Sequence, residues 1–298
     1  NDGVNGSKAT RSSTFRYKVP TAKELNEKRT EDKENSLKDL NEMLNETNEF
    51  NERIDRLKKE LLNAKNTGWK EKQQIEQLKE QRNSLEKRME QLKDKMKNSF
   101  DEKNALSPAE ERLLEKQKLL EELMDQVMDK ELEDLLKQLE ELMDNQDKEG
   151  VQDTFEEMEM SAEDMERQMD RTMEMLKKMD VEERLEEIQK GLEELSKKQD
   201  ELRENLENGG NKEDIKEEQD KLKEDFNELE KELEKALEKN EELKRPMDLD
   251  ELKEDRDKVN EEMDKAKENL DKNKDKKAGE SQKSSSDKMK EMAEKMEA

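Results

Sequence analysis

From Leu37 to Leu270 the apolar residues of this chain return at alternating intervals of three and four. Leu37, Leu40, Met43, Phe50, Ile54, Leu57 and Leu61 open the pattern, and Ile75, Leu78, Leu85, Met89, Leu92 and Met96 repeat it. A 3.5-residue period is that of helices packed side by side, and it is incompatible with the two-residue period of a half-buried strand. It also overrules what composition alone suggests. Half the residues are charged, 27% are hydrophobic and the formal net charge is -26, which without the periodicity would describe a disordered acidic chain. The core that such a sequence can build is thin, two or three helices across. Aromatic residues at 2%, with Gly 8 and Pro 3, leave no material for a β-rich body after the first twenty residues.

Turn signals divide the pattern into units. Residues 1–20 (NDGVNGSKATRSSTFRYKVP) stand apart: Asp2-Gly3 and Asn5-Gly6 mark turns, and Thr14, Phe15, Tyr17 and Val19 have strand character. They are expected to be a strand-like remnant of an upstream β domain, with a disordered leader as the alternative. Residues 21–104 form a helical hairpin that starts at the capping box of Thr21 and Glu24 and turns near 66–69, where Trp69 packs the bend. Residues 108–180 form a second hairpin. Ser107, Pro108 and Glu110 give its start signal, Gly150 ends its first helix in a turn near 148–151, and a fresh helix starts at Ser161. Residues 181–272 form a three-helix antiparallel bundle with turns at Asn208-Gly209-Gly210 and Pro246 and a helix start at Asp248. Residues 273–298 are a flexible linker with the start of a further helix, the run 271–288 being rich in Lys, Ser and Asp. The expected fold is therefore all-α: serial antiparallel coiled-coil hairpins and a three-helix bundle.

An antiparallel hairpin pairs descending positions on one helix with ascending positions on the next. Folding at Gly209-Gly210 sets Leu202 against Ile215, Leu195 against Leu222 and Gln199 against Gln219. Folding at Pro246 sets Leu233 against Val259 and Leu222 against Leu270. Folding at Gly150 explains the densest feature of the sequence, MEMSAEDMERQMDRTMEMLKKM at 158–179. Leu139 then faces Met158, Leu132 faces Met165, Met128 faces Met169 and Met124 faces Met173, so these methionines form the second wall of a hairpin core. Met160 and Met175 lie off that stripe and are the candidate partner-binding residues. A copper(I) site at Met165, Met169 and Met173 is the minor alternative, since thioethers are soft ligands but no Cys or His supports them.

Other chemistry is absent from the sequence. Without His or Cys there is no zinc or iron–sulfur ligand set, no Cys/His catalysis and no disulfide. No resident cofactor is expected. The acidic charge disfavours nucleic acid and anionic lipid surfaces, and no apolar run is long enough to insert in a membrane. Paired carboxylates occur throughout as solvated helix faces and single out no acid–base pair. The segment DNQDKEG at 144–150 lacks the ligand spacing of a calcium loop. The chain starts and stops abruptly, as a piece of something longer would.

Several segments carry a resemblance: NDGVNGSKATRSSTF, LLEELMDQVMDKELEDLLKQLEELM, MSAEDMERQMDRTMEMLKK and PMDLDELKED. They resemble the central region of large membrane-anchored proteins of Bacteroidetes, a family known only as a domain of unknown function. The resemblance spans essentially the whole chain, and its more specific parts are DGVNGSK and SAEDMERQMDRT. It implies membrane helices and β-sandwich-like domains upstream, Met/Gln-rich sequence downstream, and a place in the cell envelope on the periplasmic side. It carries no catalytic or binding residues.

The function expected is non-enzymatic: a structural and scaffolding segment that spaces domains and offers an acidic face to other, basic proteins. The competing expectation is a holdase-like module that grips clients in methionine-lined clefts. A spacer buries its Leu/Met stripes, whereas a holdase leaves a contiguous apolar patch open.

Overall fold

The computed structural model of the protein describes residues 22–63, 69–101, 108–127 and 130–297. Expectations for residues 1–20, for the caps at Thr21 and Ser107 and for the pairing of Met128 lie outside these residues. Among the described residues eight helices follow one another: α1 (Ala22–Asn63), α2 (Trp69–Asp101), α3 (Pro108–Val127), α4 (Glu131–Asn145), α5 (Lys148–Glu207), α6 (Lys212–Glu241), α7 (Asp250–Asp271) and α8 (Asp275–Glu297). The fold is all-α, and no strand occurs among the described residues.

The helices close into two four-helix bundles. α1, α2, the α3–α4 pair and the first half of α5 surround one core, which runs in sequence from Leu40 to Met179. The second half of α5, with α6, α7 and α8, surrounds another, from Val181 to Ala293. α5 belongs to both. Its 60 residues make one helix about 90 Å long at 1.5 Å per residue.

Antiparallel pairing is visible in the flanking ion pairs. Across α1 and α2, Lys70 meets Glu60 at 2.9 Å, Arg88 meets Glu42 at 3.2 Å and Lys95 meets Asp39 at 3.4 Å. α5 descends beside α1, with Asn51 donating to Glu166 at 2.9 Å and Lys58 to Glu159 at 2.8 Å. In the C-terminal bundle Gln199 and Gln219 exchange amide hydrogen bonds of 3.0 and 3.1 Å, the facing pair that folding at Gly209-Gly210 requires.

The turns show how the local sequence stops each helix. α5 ends at Glu207, Gly209 takes φ 78, and Asn211 caps α6 by accepting from the Glu213 amide at 3.1 Å. A Cβ at Gly210 would press on the Asn205 carbonyl oxygen at 3.0 Å and would displace the Asn205 side chain, so glycine suits this position. α6 stops before Pro246. The side chain of buried Asn240 then holds the connection, donating to the Met247 carbonyl at 2.8 Å and accepting from its amide at 2.9 Å.

Several expectations need correction. The C-terminal unit has four helices, because residues 275–297 form α8 and dock as the fourth wall where a linker was expected. α5 has no start at Ser161, which lies inside it, and no break at 180/181, since MDVEERL consists of helix-compatible residues. The turn before α5 is at Gln146-Asp147, not 148–151: Gln146 adopts φ 56 and Asp147 caps α5 by accepting from the Gly150 amide at 3.1 Å. Gly150 therefore opens a helix, and its bare Cα admits the Leu142 side chain. The helix expected from Pro108 to Gly150 is two, α3 and α4, and the buried face of α4 is Leu132, Leu135, Leu136, Leu139 and Met143, with Leu142 half-buried. α7 starts at Asp250 with no side-chain cap, because Asn240 has already fixed Met247. Trp69 does not pack the bend but opens α2 at 78% exposure.

Candidate functional site

The methionine stretch is core. Met158, Met165, Met169 and Met179 are buried on α5, and they meet Met43 of α1, Met89 and Met96 of α2, Met124 of α3 and Met143 of α4. Every helix of the N-terminal bundle contributes a thioether to this core. Unbranched side chains fill the gaps between four helices whose faces are interrupted by the α3–α4 bend. The minor alternative, a copper(I) site at Met165, Met169 and Met173, does not have a free ligand set. Met165 and Met169 are buried, Met173 is half-buried, and the Thr47 hydroxyl lies 3.0 Å from Met169 Sδ and 2.9 Å from the Met43 carbonyl.

The two candidate partner residues separate. Met160 is 68% exposed on α5, whereas Met175 packs against the N-terminal core. Fifteen residues apart on one helix, they lie about 22 Å from each other along its axis. They form no common cleft. The other large exposed apolar side chains among the described residues are Leu62, Trp69, Leu114 and Leu119, distributed over α1, α2 and α3.

The most densely built polar site is where the two cores meet. The N-terminal core ends at Met179 and the C-terminal core begins at Val181, so Asp180 sits between them at 3% exposure. Its carboxylate takes Lys239 of α6 at 2.9 Å and Arg184, one turn along α5, at 3.3 Å. Both cations also approach Glu34 of α1 at 3.7 Å, and Arg184 reaches Glu232 of α6 at 3.9 Å. Lys33 of α1 pairs with buried Glu183, and Lys116 of α3 with Glu182. From the α6–α7 turn, the Lys244 amide donates to Glu174 at 2.9 Å and its ammonium pairs with Asp170. Helices of both bundles thus converge on one stretch of α5.

Chemically this is a closed network. Its carboxylates are matched to cations, no nucleophile lies among them, and no Asp/Glu group able to hold a metal ion occurs among the described residues. Shallow interhelical grooves occur elsewhere among the described residues. One of about 350 Å³ lies between α5 and α6 beside Lys198, Glu201, Lys221 and Asp225, and one of about 370 Å³ lies between α1 and α2 beside Arg53, Arg56 and Glu60. Each carries mixed charge on a surface that converges on no point.

No family model, curated protein or solved structure matches the chain. What the molecule can do therefore has to be read from its geometry. The junction network was missed in the sequence because its members are ordinary Glu, Lys and Arg among many. The available signal was Asp180, an acid where the apolar stripe passes from Met179 to Val181.

Proposed function

We propose that this chain is a non-enzymatic spacer and protein-interaction segment of a larger envelope protein. The observation that carries the reading is α5, one 60-residue helix laid through two bundle cores and braced where they meet. A single helix of that length bends in solution, whereas one packed on several sides for its whole course holds its ends at a fixed separation. The surface is strongly acidic, with 87 Asp and Glu against 61 Lys and Arg, and suits a basic partner. Placement in the envelope rests on the family resemblance. No helix among the described residues is long and apolar enough to cross a membrane.

The holdase reading is the weaker one. The Leu and Met stripes it needs on the surface are buried, and the exposed apolar residues are spread over separate helices. Spin labels at Glu157→Cys and Glu204→Cys, both exposed, test the spacer. A narrow distribution centred at about 70 Å is expected for an unbroken helix. A broad or much shorter distribution would sink the proposal, and suppression of client aggregation at equimolar protein would favour the holdase.

A further inference from the structure

The turn between α7 and α8 is built unlike its neighbours. The α5–α6 turn has two glycines, and the α6–α7 connection has Pro246 and the Asn240 clamp. Lys272, Asn273 and Lys274 contain neither Gly nor Pro, and Asn273 adopts φ 52, a left-handed conformation that an L side chain accepts at a cost. The Lys274 amide closes the end of α7 on the Asn269 carbonyl at 2.8 Å. Nothing in Asp271–Asp275 forbids a helix from running straight on.

The docked face of α8 is also unusual. Its first turns bury Ala278, Gly279, Ser281, Gln282, Ser285 and Ser286, which remove little apolar surface from water. Gln282 donates to Gln219 Oε1 at 3.0 Å, yet its own Oε1 is buried without a hydrogen-bond donor. Larger apolar contacts come only later, at Met289 and Met292. Ion pairs flank this face, with Lys212–Asp275 at 2.8 Å, Lys290–Asp200 at 2.7 Å, and Lys295 on Asp255 and Glu251 at 2.7 and 2.9 Å, while inside it Ser286 donates to the Ser196 carbonyl at 3.0 Å.

We infer that α8 is a hinged strap. When Asn273 passes from the left-handed to the helical region, α7 and α8 join into one helix from Asp250 to Glu297, about 70 Å long. The strap leaves the face of α5 and α7 that it covers, and Gln282 gains water for its unsatisfied oxygen. α6 keeps its packing against α5 on one side and α7 on the other.

The absence of cysteine allows a direct test on the whole chain. Nitroxides go on Glu254→Cys and Glu291→Cys, both exposed. Closed, the labelled positions sit on adjacent helices, whose axes lie about 10 Å apart. Open, they are separated by about 55 Å of continuous helix. Asn273→Ala favours the helix and penalises the turn, while Asn273→Gly does the reverse. The ratio of long to short distance should differ between these variants about thirtyfold, with wild type between them. A single short distance in all three proteins overturns the hinge. So does a broad distribution in Asn273→Ala, which would mean that α8 frays instead of swinging.

Discussion

Gln199, Gln219 and Gln282 interrupt the C-terminal core with one polar layer, and all three are fully buried. Gln219 Oε1 accepts from both of the others, and its amide donates back to Gln199. Removing one member leaves its partner's amide dry, so Gln199→Leu should destabilise by about 1–3 kcal/mol in urea titrations. Replacing all three by Leu removes the demand together with its supply, and should be neutral or stabilising. The 199–219 contact was legible because antiparallel pairing around two glycines fixes it. Gln282 was not, because it sits among Ser, Lys and Asp. Yet Ala278, Gln282, Ser285, Met289 and Met292 keep the alternating four-three spacing, so the helix was written in small and polar residues that a hydrophobic stripe does not reveal. Gly191 makes a second case at this scale. A Cβ there would lie 2.7 Å from Leu229 Cδ2, the movable end of a half-buried side chain. Gly191→Ala should therefore be close to neutral, the helix gain of about 1 kcal/mol offsetting the crowding. In a Leu229→Ala background the same change should stabilise by about that amount.

Among the elements, α8 is tied to α7 through Asp255, which is nearly buried and pairs with Lys295 at 2.7 Å and Lys258 at 3.0 Å. Burial pushes the Asp255 carboxyl up, but hydrogen bonds from Lys295 and Lys258 more than offset this and leave it below its ordinary value. A carboxylate with a depressed folded value contributes stability above its unfolded pKa of about 3.9 and loses it as pH falls through the folded one. Acidification below about pH 4 should thus loosen α8. Thermal melts at pH 5 and pH 3.5 check this: the drop in wild type should exceed that in Asp255→Asn. Glu251, which shares Lys295, remains in both proteins. α2 offers an optical test. The exposed Trp69 should show the red-shifted, readily quenched emission of a hydrated indole, and that emission should change little on unfolding. The bend-packing expected of Trp69 overlooked the stripe: extended back from Ile75 and Leu78 it reaches 68 and 71, which leaves Trp69 beside the seam.

For the whole molecule the question is how the two cores are joined along α5. The boundary read at 180/181 located a change of core but not a break in the chain: the apolar stripe hands over at Asp180 while the helix continues. Helix continuity alone would couple the bundles weakly, since a helix in water is only marginally stable without packing. The junction network adds contacts from α1, α3, α6 and the α6–α7 turn onto the same stretch of α5. Asp180 is its centre, holding Lys239 and Arg184 together. Asp180→Ala leaves those two cations facing each other with Glu34 and Glu232 at longer range. Removing one partner of a buried ion network is strongly destabilising, typically about 3–5 kcal/mol. The loss should fall on the junction and not on either core. In urea, wild type should then unfold in one transition, with probes in the two bundles coincident. Asp180→Ala should unfold in two, because each bundle keeps its own apolar layers. Cysteine-attached fluorophores at Glu157 and Glu204 report the bundles separately, both positions being exposed. Coincident curves in the variant would mean that packing along α5, without the ion network, carries the coupling.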